Sequence, residues 1–316
     1  MTYKYYPSVA IAICGAISNS LSLSYFINKS GKSLGTRLLM LLNVLDLAVC
    51  ISGLIKIIIE RRVKALKPGY EAAVELGEET ALYEALQILR VIGKLCYRVS
   101  IESTAFTTTV LSITRTLKLC FPFRKVKVHW IACSFAIFFT YLLSREALQA
   151  YYQYCAYMKI HTHAWYDVSY GNCARGIEIS IFITLTGISV GISVVKLLTC
   201  NKRSSEDDKS SLKVRATVTV IILSLLFSLF NSMLVSAIAF ETVFHLDFAW
   251  DFALWYGVPT NSAVNPIVYM IRIKPMRQHI RYQFINFRRL ISCVTPMRRQ
   301  NSNKKLTKDT YGQSEV

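Results

Sequence analysis

Five polar side chains stand inside long apolar runs of the sequence, where a polar group is costly: Asn19, Asp46, Thr104, Asn261 and Asn265. Asp46 offers a carboxylate and the others offer hydroxyl or amide oxygens, which are the ligands that a small hard cation prefers. The same groups could instead hydrogen-bond between helices or hold a network of water molecules. The residue types alone leave these interpretations open.

A charged pair, Arg98 and Glu102, lies four residues apart in the third apolar run. Residues at this spacing share one face of a helix, so the two charges can neutralise each other. Alternatively, the pair forms the charged floor of a ligand pocket. The sequence contains no nucleophile–base arrangement, phosphate-binding loop or metal motif, and we therefore do not expect an enzyme.

Seven apolar runs must position these residues. Of the 316 residues, 53% are hydrophobic, and this surplus is best explained by contact with lipid. The runs approach the length that a helix needs to cross a bilayer, and none alternates as a barrel strand would. We therefore expect an all-α membrane protein, a seven-transmembrane helix bundle, with spans at Ser8–Ile27, Leu38–Ile59, Ile88–Leu119, Trp130–Leu148, Ile177–Leu198, Val214–Ala239 and Phe252–Ile271.

The basic residues predict how the chain is oriented. The net charge of +18 is spread between the apolar runs and is not gathered on one polar face, so we expect no nucleic-acid partner. Most of the 37 Lys and Arg residues lie in the connections after spans one, three and five and in the tail. This distribution predicts a plasma-membrane protein with an extracellular N-terminus and a cytoplasmic C-terminus. The connection Glu60–Thr80 departs from the pattern, because basic residues and glutamates alternate in blocks there.

The segment Lys274–Phe287, after the seventh span, carries apolar residues at helical spacing between basic ones. It predicts a short amphipathic helix on the cytoplasmic surface of the membrane lipid. Cys293 follows two arginines and is a candidate for palmitoylation, with an unmodified thiol as the alternative. We expect residues 1–289 to form one transmembrane domain that includes this helix, and residues 290–316 to form a disordered tail.

Four motifs lie in the predicted spans in a definite order. GAISN ends at Asn19, LNVLD ends at Asp46, SITRTLKLCFPF contains Arg115, and NPIVY runs from Asn265 to Tyr269. Their types, spans and order resemble the signatures of rhodopsin-like (class A) G-protein-coupled receptors. The resemblance covers nearly the whole chain.

This resemblance implies a receptor that passes the signal of an extracellular ligand to a cytoplasmic heterotrimeric G protein. Arg115 would meet the G protein, and Asn265, Pro266 and Tyr269 would form part of the activation switch. Pro266 removes a backbone donor and so weakens the seventh helix locally. A sodium ion is the cation that the resemblance implies at Asp46.

The chain departs from the family beside Arg115 and in the sixth span. Thr114 and Thr116 stand where the family has an acid and an aromatic residue, and the sixth span has no proline. In the family the acid beside the arginine holds it in the resting state by a charge-assisted hydrogen bond, so the resemblance implies that Thr114 raises the basal activity. The departures also motivate an alternative, a seven-helix protein without G-protein signalling, such as a decoy or a partner subunit. A channel or transporter is less favoured because the two halves show no repeat.

The family binds ligands in the outer half of the bundle, where the candidates in this chain are Tyr97, Arg98, Glu102 and Asn231. Tyr97 stands where amine receptors carry an aspartate. The resemblance therefore disfavours a monoamine and leaves the ligand otherwise unknown.

The family's outer disulfide starts from a cysteine near the top of the third span, where this chain has Arg90. Cys155 and Cys173 share the second outer loop of the predicted topology. We expect a bridge between these two cysteines in its place, with free thiols as the alternative.

Overall fold

The computed structural model describes residues 6–28, 33–75, 81–122, 127–157, 168–201, 208–244, 256–286 and 288–289. The chain divides into two compact units, Met1–Arg272 and Ile273–Val316. The first unit contains all of the predicted spans, and the second contains the predicted amphipathic helix.

The described residues of the first unit form seven helices and no strand. They are α1 Tyr6–Asn28, α2 Leu34–Glu75, α3 Ala81–Cys120, α4 Val128–Tyr157, α5 Val168–Asn201, α6 Asp208–Phe244 and α7 Val258–Arg272. The all-α prediction is confirmed. The helices α1 to α6 extend beyond the apolar runs, because a helix can continue into polar sequence after an apolar run has ended. The predicted connection Glu60–Thr80 thus begins inside α2, and the first residues of the predicted seventh span lie outside the described residues.

Five of these helices contain stretches long and apolar enough to cross a membrane: Tyr6–Asn28, Leu34–Leu66, Val128–Tyr152, Cys173–Thr199 and Val214–Ala239. α3 differs because charged residues recur along it, among them Arg98, Glu102 and Arg115. α7 differs because its 15 residues span only roughly 22 Å at 1.5 Å per residue. Composition and length thus mark five helices as candidate spans.

The helices pack as a closed ring in chain order, with α7 returning to α1. α3 lies at the centre, since it contacts α2, α4, α5 and α6. Apolar residues of four other helices meet around Tyr97 and Ile101 of α3: Val49, Ile179, Leu234, Ala237, Ile238 and Val258. The two ends of the bundle are called the Lys94 end and the Arg115 end, after the residues of α3 that lie there.

A row of hydroxyl groups, the hydroxyl seam, fixes α3 against α5. Thr109 pairs with Thr186 at 3.0 Å, Ser112 with Ser189 at 3.0 Å, and Thr116 with Ser193 at 2.8 Å. The partners of each pair are 77 residues apart in the chain, so the two helices run parallel and in register. All of these side chains are buried.

Close contact of α1 with α2 and α7 depends on Gly15. A Cβ atom at this position would lie 2.6 Å from Cys50 Sγ and 3.2 Å from Ala263 Cβ. Both distances are too short for a side chain, so only glycine allows the three helices to approach this closely. Gly15 thereby brings Asn19, one turn along α1, against α7.

Residues 274–286 of the second unit form a helix, α8. Its first turn is closed by the backbone N–H of Met276, which donates to the carbonyl oxygen of Ile273 at 3.0 Å. Pro275 lies in this first turn, where its missing N–H is not needed. The helix predicted at Lys274–Phe287 is therefore confirmed over residues 274–286, while its position on the membrane stays a prediction. Cys293 lies outside the described residues.

Candidate functional site

The sequence motifs of α1, α2 and α7 meet in one buried group of polar residues, the polar core. Asn265 Nδ2 of α7 donates to Asp46 Oδ2 of α2 at 2.7 Å. Asn19 Nδ2 of α1 donates to the carbonyl oxygen of Ser262 in α7 at 3.0 Å, and to that of Gly15 at 2.9 Å. The last helix of the first unit, α7, is thus joined to the first two, α1 and α2, by two amide side chains.

Several buried oxygens of the predicted cation site accept no hydrogen bond from another protein group in the described residues. They are Asp46 Oδ1, Asn19 Oδ1, Asn261 Oδ1 and Thr104 Oγ1. A buried oxygen of this kind normally has a partner, so water or a cation must satisfy it. The chemistry of this donor set fits a small hard cation. Thr104 lies on α3, and no hydrogen bond links its hydroxyl to Asp46 or Asn265.

Arg115 lies against α2 at the Arg115 end of the bundle. A Cβ atom added to Gly35 would meet the guanidinium Nη2 of Arg115 at 2.5 Å, so the guanidinium group covers this glycine. In the part of the chain that the structure describes, no carboxylate pairs with Arg115. The neighbouring Thr114 is buried, and Thr116 is engaged in the hydroxyl seam.

Tyr269 is fully buried in α7, and its ring packs edge-on against Phe26 of α1 with the centroids 5.7 Å apart. The Tyr269 hydroxyl has no hydrogen-bond partner among the described residues. α7 remains helical through Pro266, which lies one turn before Tyr269. Asn265, Pro266 and Tyr269 therefore occupy one continuous helix that faces α1 and α2.

A second buried site, the ionic network, joins α3, α4 and α5 nearer the Lys94 end. It contains three arginines and three glutamates, namely Arg98, Glu102, Arg145, Glu146, Arg175 and Glu178. The formal charges of these six residues sum to zero. Such a set is costly to bury unless its members pair closely, and here they do.

Glu102 is the centre of the ionic network. Its Oε1 accepts from Arg175 Nε at 2.7 Å, and its Oε2 accepts from Arg145 Nη2. Glu146 Oε1 accepts from Arg145 Nη2 at 2.8 Å and from Arg175 Nη2 at 2.6 Å. Arg145 also donates to Glu178. Arg145 and Arg175 therefore each bridge glutamates from two other helices.

The network changes how Arg98 and Glu102 are understood. Among the described residues, Arg98 forms its ion pair with Glu146 at 3.8 Å and not with Glu102. The reason is that α4 and α5 supply two arginines that saturate Glu102. Arg98 is thus the most loosely held of the three arginines, and its side chain is 17% exposed.

An aromatic layer lies between the ionic network and the hydroxyl seam. Phe106, one turn along α3 from Glu102, stacks on Phe138 of α4 with the ring centroids 4.2 Å apart. Phe182 of α5 meets the Phe106 ring edge-on at 6.0 Å. The layer separates the charged groups from the hydroxyl groups below them.

The other predicted ligand and disulfide residues have separate surroundings. Tyr97 is buried in the apolar cluster, and Asn231 Nδ2 donates to the carbonyl oxygen of Phe227 in its own helix at 2.9 Å. Cys173 lies within α5, which begins at Val168, and not in a loop. Its thiol is free and exposed. The Cys155 side chain lies outside the described residues. The structure therefore does not support the predicted Cys155–Cys173 bridge.

Four members of the ionic network were not among the predicted site residues: Arg145, Glu146, Arg175 and Glu178. A signal was present, because each lies at the edge of a predicted span, where a charge usually faces water. Pairs of opposite charge at the edges of two spans, together with Glu102 inside a third, indicate that the charges meet.

Comparison of the sequence with models of known protein families and with curated proteins gives no match.

Proposed function

We propose that the chain is a seven-helix membrane receptor that couples an extracellular ligand to a cytoplasmic heterotrimeric G protein. The observation that carries the proposal is the polar core. Asn19, Asp46 and Asn265 belong to three separate motifs that resemble those of rhodopsin-like receptors, and two hydrogen bonds join their helices. Motifs that act together must meet in space, and these do.

In this proposal α3 and α7 cross the membrane with the five apolar helices. The charges of α3 do not argue against it, because Glu102 is fully buried and bound by two arginines. A central helix needs no continuous apolar surface, since protein and not lipid surrounds it. The Lys94 end faces outward and the Arg115 end faces the cytoplasm, as the distribution of Lys and Arg favours.

Arg115 is the residue that meets the G protein. Its guanidinium group rests on Gly35, and no described carboxylate holds it there. Contact with a glycine restrains an arginine much less than a charge-assisted hydrogen bond to an acid would. The resting position is therefore weakly held, which supports a raised basal activity.

A sodium ion in the polar core is part of the proposal. Asp46 Oδ1 would supply the charge, and the oxygens of Asn19, Asn261 and Thr104 are the further candidates to hold the ion. The bound ion would neutralise Asp46 and satisfy buried oxygens that otherwise lack a protein partner.

A seven-helix protein without G-protein signalling, a decoy or a partner subunit, is the second candidate. Thr116 favours it, because this residue stands beside Arg115 and is bound into the hydroxyl seam by Ser189 and Ser193. A seam fixed in this way strengthens α3–α5 packing at the end where a G protein would bind.

Two experiments test the proposal in cells. Accessibility of epitope tags on intact and permeabilised cells should show the N-terminus outside and the C-terminus inside; both ends on one side would exclude seven spans.

Reporters for the Gα classes should give ligand-free activation above that of Arg115→Ala at equal surface expression. If the native chain and Arg115→Ala gave equal signals with every Gα class, the non-signalling candidate would be favoured.

A further inference from the structure

One face of α3 at the Lys94 end carries three cations at helical spacing, Arg90, Lys94 and Arg98. These positions are four residues apart, so the side chains are neighbours along the helix. Lys56 and Glu60 of α2 lie within electrostatic range of Lys94. The group, called here the basic cluster, thus holds four positive charges and one carboxylate.

The position of the basic cluster makes its excess charge costly. Lys56 is buried, and it lies with Glu60 inside the α2 stretch that is long and apolar enough to cross a membrane. Lys94 is half-buried, and Arg90 has a buried Nε without a hydrogen-bond partner among the described residues. Charged side chains at this depth normally pair with a group of opposite charge or with backbone carbonyl oxygens.

The ionic network next to the cluster has no carboxylate to spare. Its three glutamates bind Arg145 and Arg175, and only Glu146 also reaches Arg98, at 3.8 Å. In the described part of the chain no carboxylate forms an ion pair with Lys94. Glu60 attracts Lys94 without forming an ion pair with it, so the repulsion between Lys94 and its basic neighbours is only partly offset within these residues.

Tyr97 provides an apolar base beside the cations. Tyr97 lies between Lys94 and Arg98 in the sequence, and its ring is buried. Lys56 Nζ lies 5.2 Å from the ring centroid. The ring also packs against Gly53 of α2, where a Cβ atom would lie 3.3 Å from Tyr97 Cε2. The site thus combines fixed positive charge with an aromatic surface.

We propose that the basic cluster binds the anionic group, a carboxylate or a phosphate, of the receptor's ligand. Lys94 supplies the main charge, and Arg98 supplies donors that can turn from Glu146 to the ligand. An anion bound there would loosen the ion pair of Arg98 with Glu146 and so reach the α3–α4–α5 junction. This inference rests on the proposed function, because it names the ligand class of that receptor.

The test uses the purified full-length protein in phosphatidylcholine nanodiscs and measures its Tm. The probes are phenylacetate and phenyl phosphate, with the neutral phenylacetamide as the matched control. Both anions should raise the Tm more than the amide does. Lys94→Met should weaken apparent anion affinity by about tenfold or more, as expected for a charge-assisted bond. Lys94→Arg should retain the anion affinity. Lys196→Met, in α5 near the Arg115 end of the bundle, should leave the anion affinity unchanged.

A second readout needs no ligand. Lys94→Met should raise the Tm of the ligand-free protein, because it removes a cation that has three basic neighbours and no ion-pair partner among the described residues. A fall in that Tm would show that a carboxylate of the chain already pairs with Lys94 and would overturn the proposal. Equal stabilisation by the anions and the amide would overturn it too, as would an anion preference that survives in Lys94→Met.

The source of the anion is tested in the same system. Nanodiscs that contain phosphatidylglycerol should stabilise the native chain over Lys94→Met if a lipid headgroup supplies the anion, whereas a soluble ligand requires the added probe. Both results support anion binding and differ only in its source. None of these measurements depends on G-protein coupling, so a failure of signalling and a failure of anion binding can be told apart.

Discussion

Two carboxylates are buried near the centre of the bundle, and their surroundings are opposite in kind. Asp46 accepts one hydrogen bond from the neutral amide of Asn265 and keeps Oδ1 without a protein partner among the described residues. Glu102 binds arginines through both oxygens. The first region can exchange partners at little cost, whereas the second loses a strong charge-assisted bond with any change. The α3–α4–α5 side is therefore the fixed part of the bundle.

The largest expected effect comes from removing the centre of the ionic network. Glu102→Gln leaves Arg145 and Arg175 short of a buried counter-charge, and breaking a buried pair in this way costs about 3–5 kcal/mol. We expect poor surface expression and a strongly lowered Tm in detergent. Glu178→Gln is the matched control, because Glu178 is more exposed and pairs with one arginine.

If Glu102→Gln proved no worse than Glu178→Gln, the two regions would not differ as described. The ionic network would then be a set of independent weak pairs.

A smaller effect is expected from the hydroxyl seam. Thr116→Val keeps the shape of the side chain but removes the partner of Ser189 and Ser193, which should lower stability by about 1–2 kcal/mol. Thr184→Val serves as the control, since Thr184 is exposed and, among the described residues, bonds only within its own helix. Thermal unfolding of the two variants should separate them, and equal Tm values would mean that the seam adds nothing to α3–α5 packing.

The smallest effect on stability is expected at Asp46. An asparagine there can still accept from Asn265, so Asp46→Asn should change stability by less than about 1 kcal/mol. Its effect on sodium should be large, because the charge that attracts the ion is lost. The native protein should have a higher Tm in sodium chloride than in choline chloride, and Asp46→Asn should not. A sodium effect of the same size in both proteins would remove the ion from the polar core.

The same contrast explains what could be predicted from the sequence. Asn19, Asp46 and Asn265 could be predicted as a group because each is a polar residue of a motif inside an apolar run, and the structure joins their helices. The partners of Glu102 could not, because Arg145 and Arg175 lie at span edges and only tertiary packing turns them inward. Arg98 was expected near Glu102 from helical spacing, but stronger partners from α4 and α5 took that place.

The fold shows a similar division. The apolar runs predicted where helices lie, since hydrocarbon length and hydropathy determine them together. They did not predict where α2 ends, because a helix that has left the apolar region is limited by local propensity and not by lipid. The charge that makes α3 a poor candidate span is a consequence of its central place, which no single helix can reveal.

The most direct test of the account is ligand-free nucleotide exchange on a responsive G protein by the purified chain in nanodiscs. Thr114→Asp is compared with the native chain, and Arg115→Ala sets the baseline. An acid at position 114 should hold Arg115 by a charge-assisted bond and remove about 1 kcal/mol or more of active-state preference, which lowers exchange several-fold. We predict native exchange above Thr114→Asp, and Thr114→Asp near the baseline. Equal exchange by all three proteins would contradict the claim that this chain signals through Arg115.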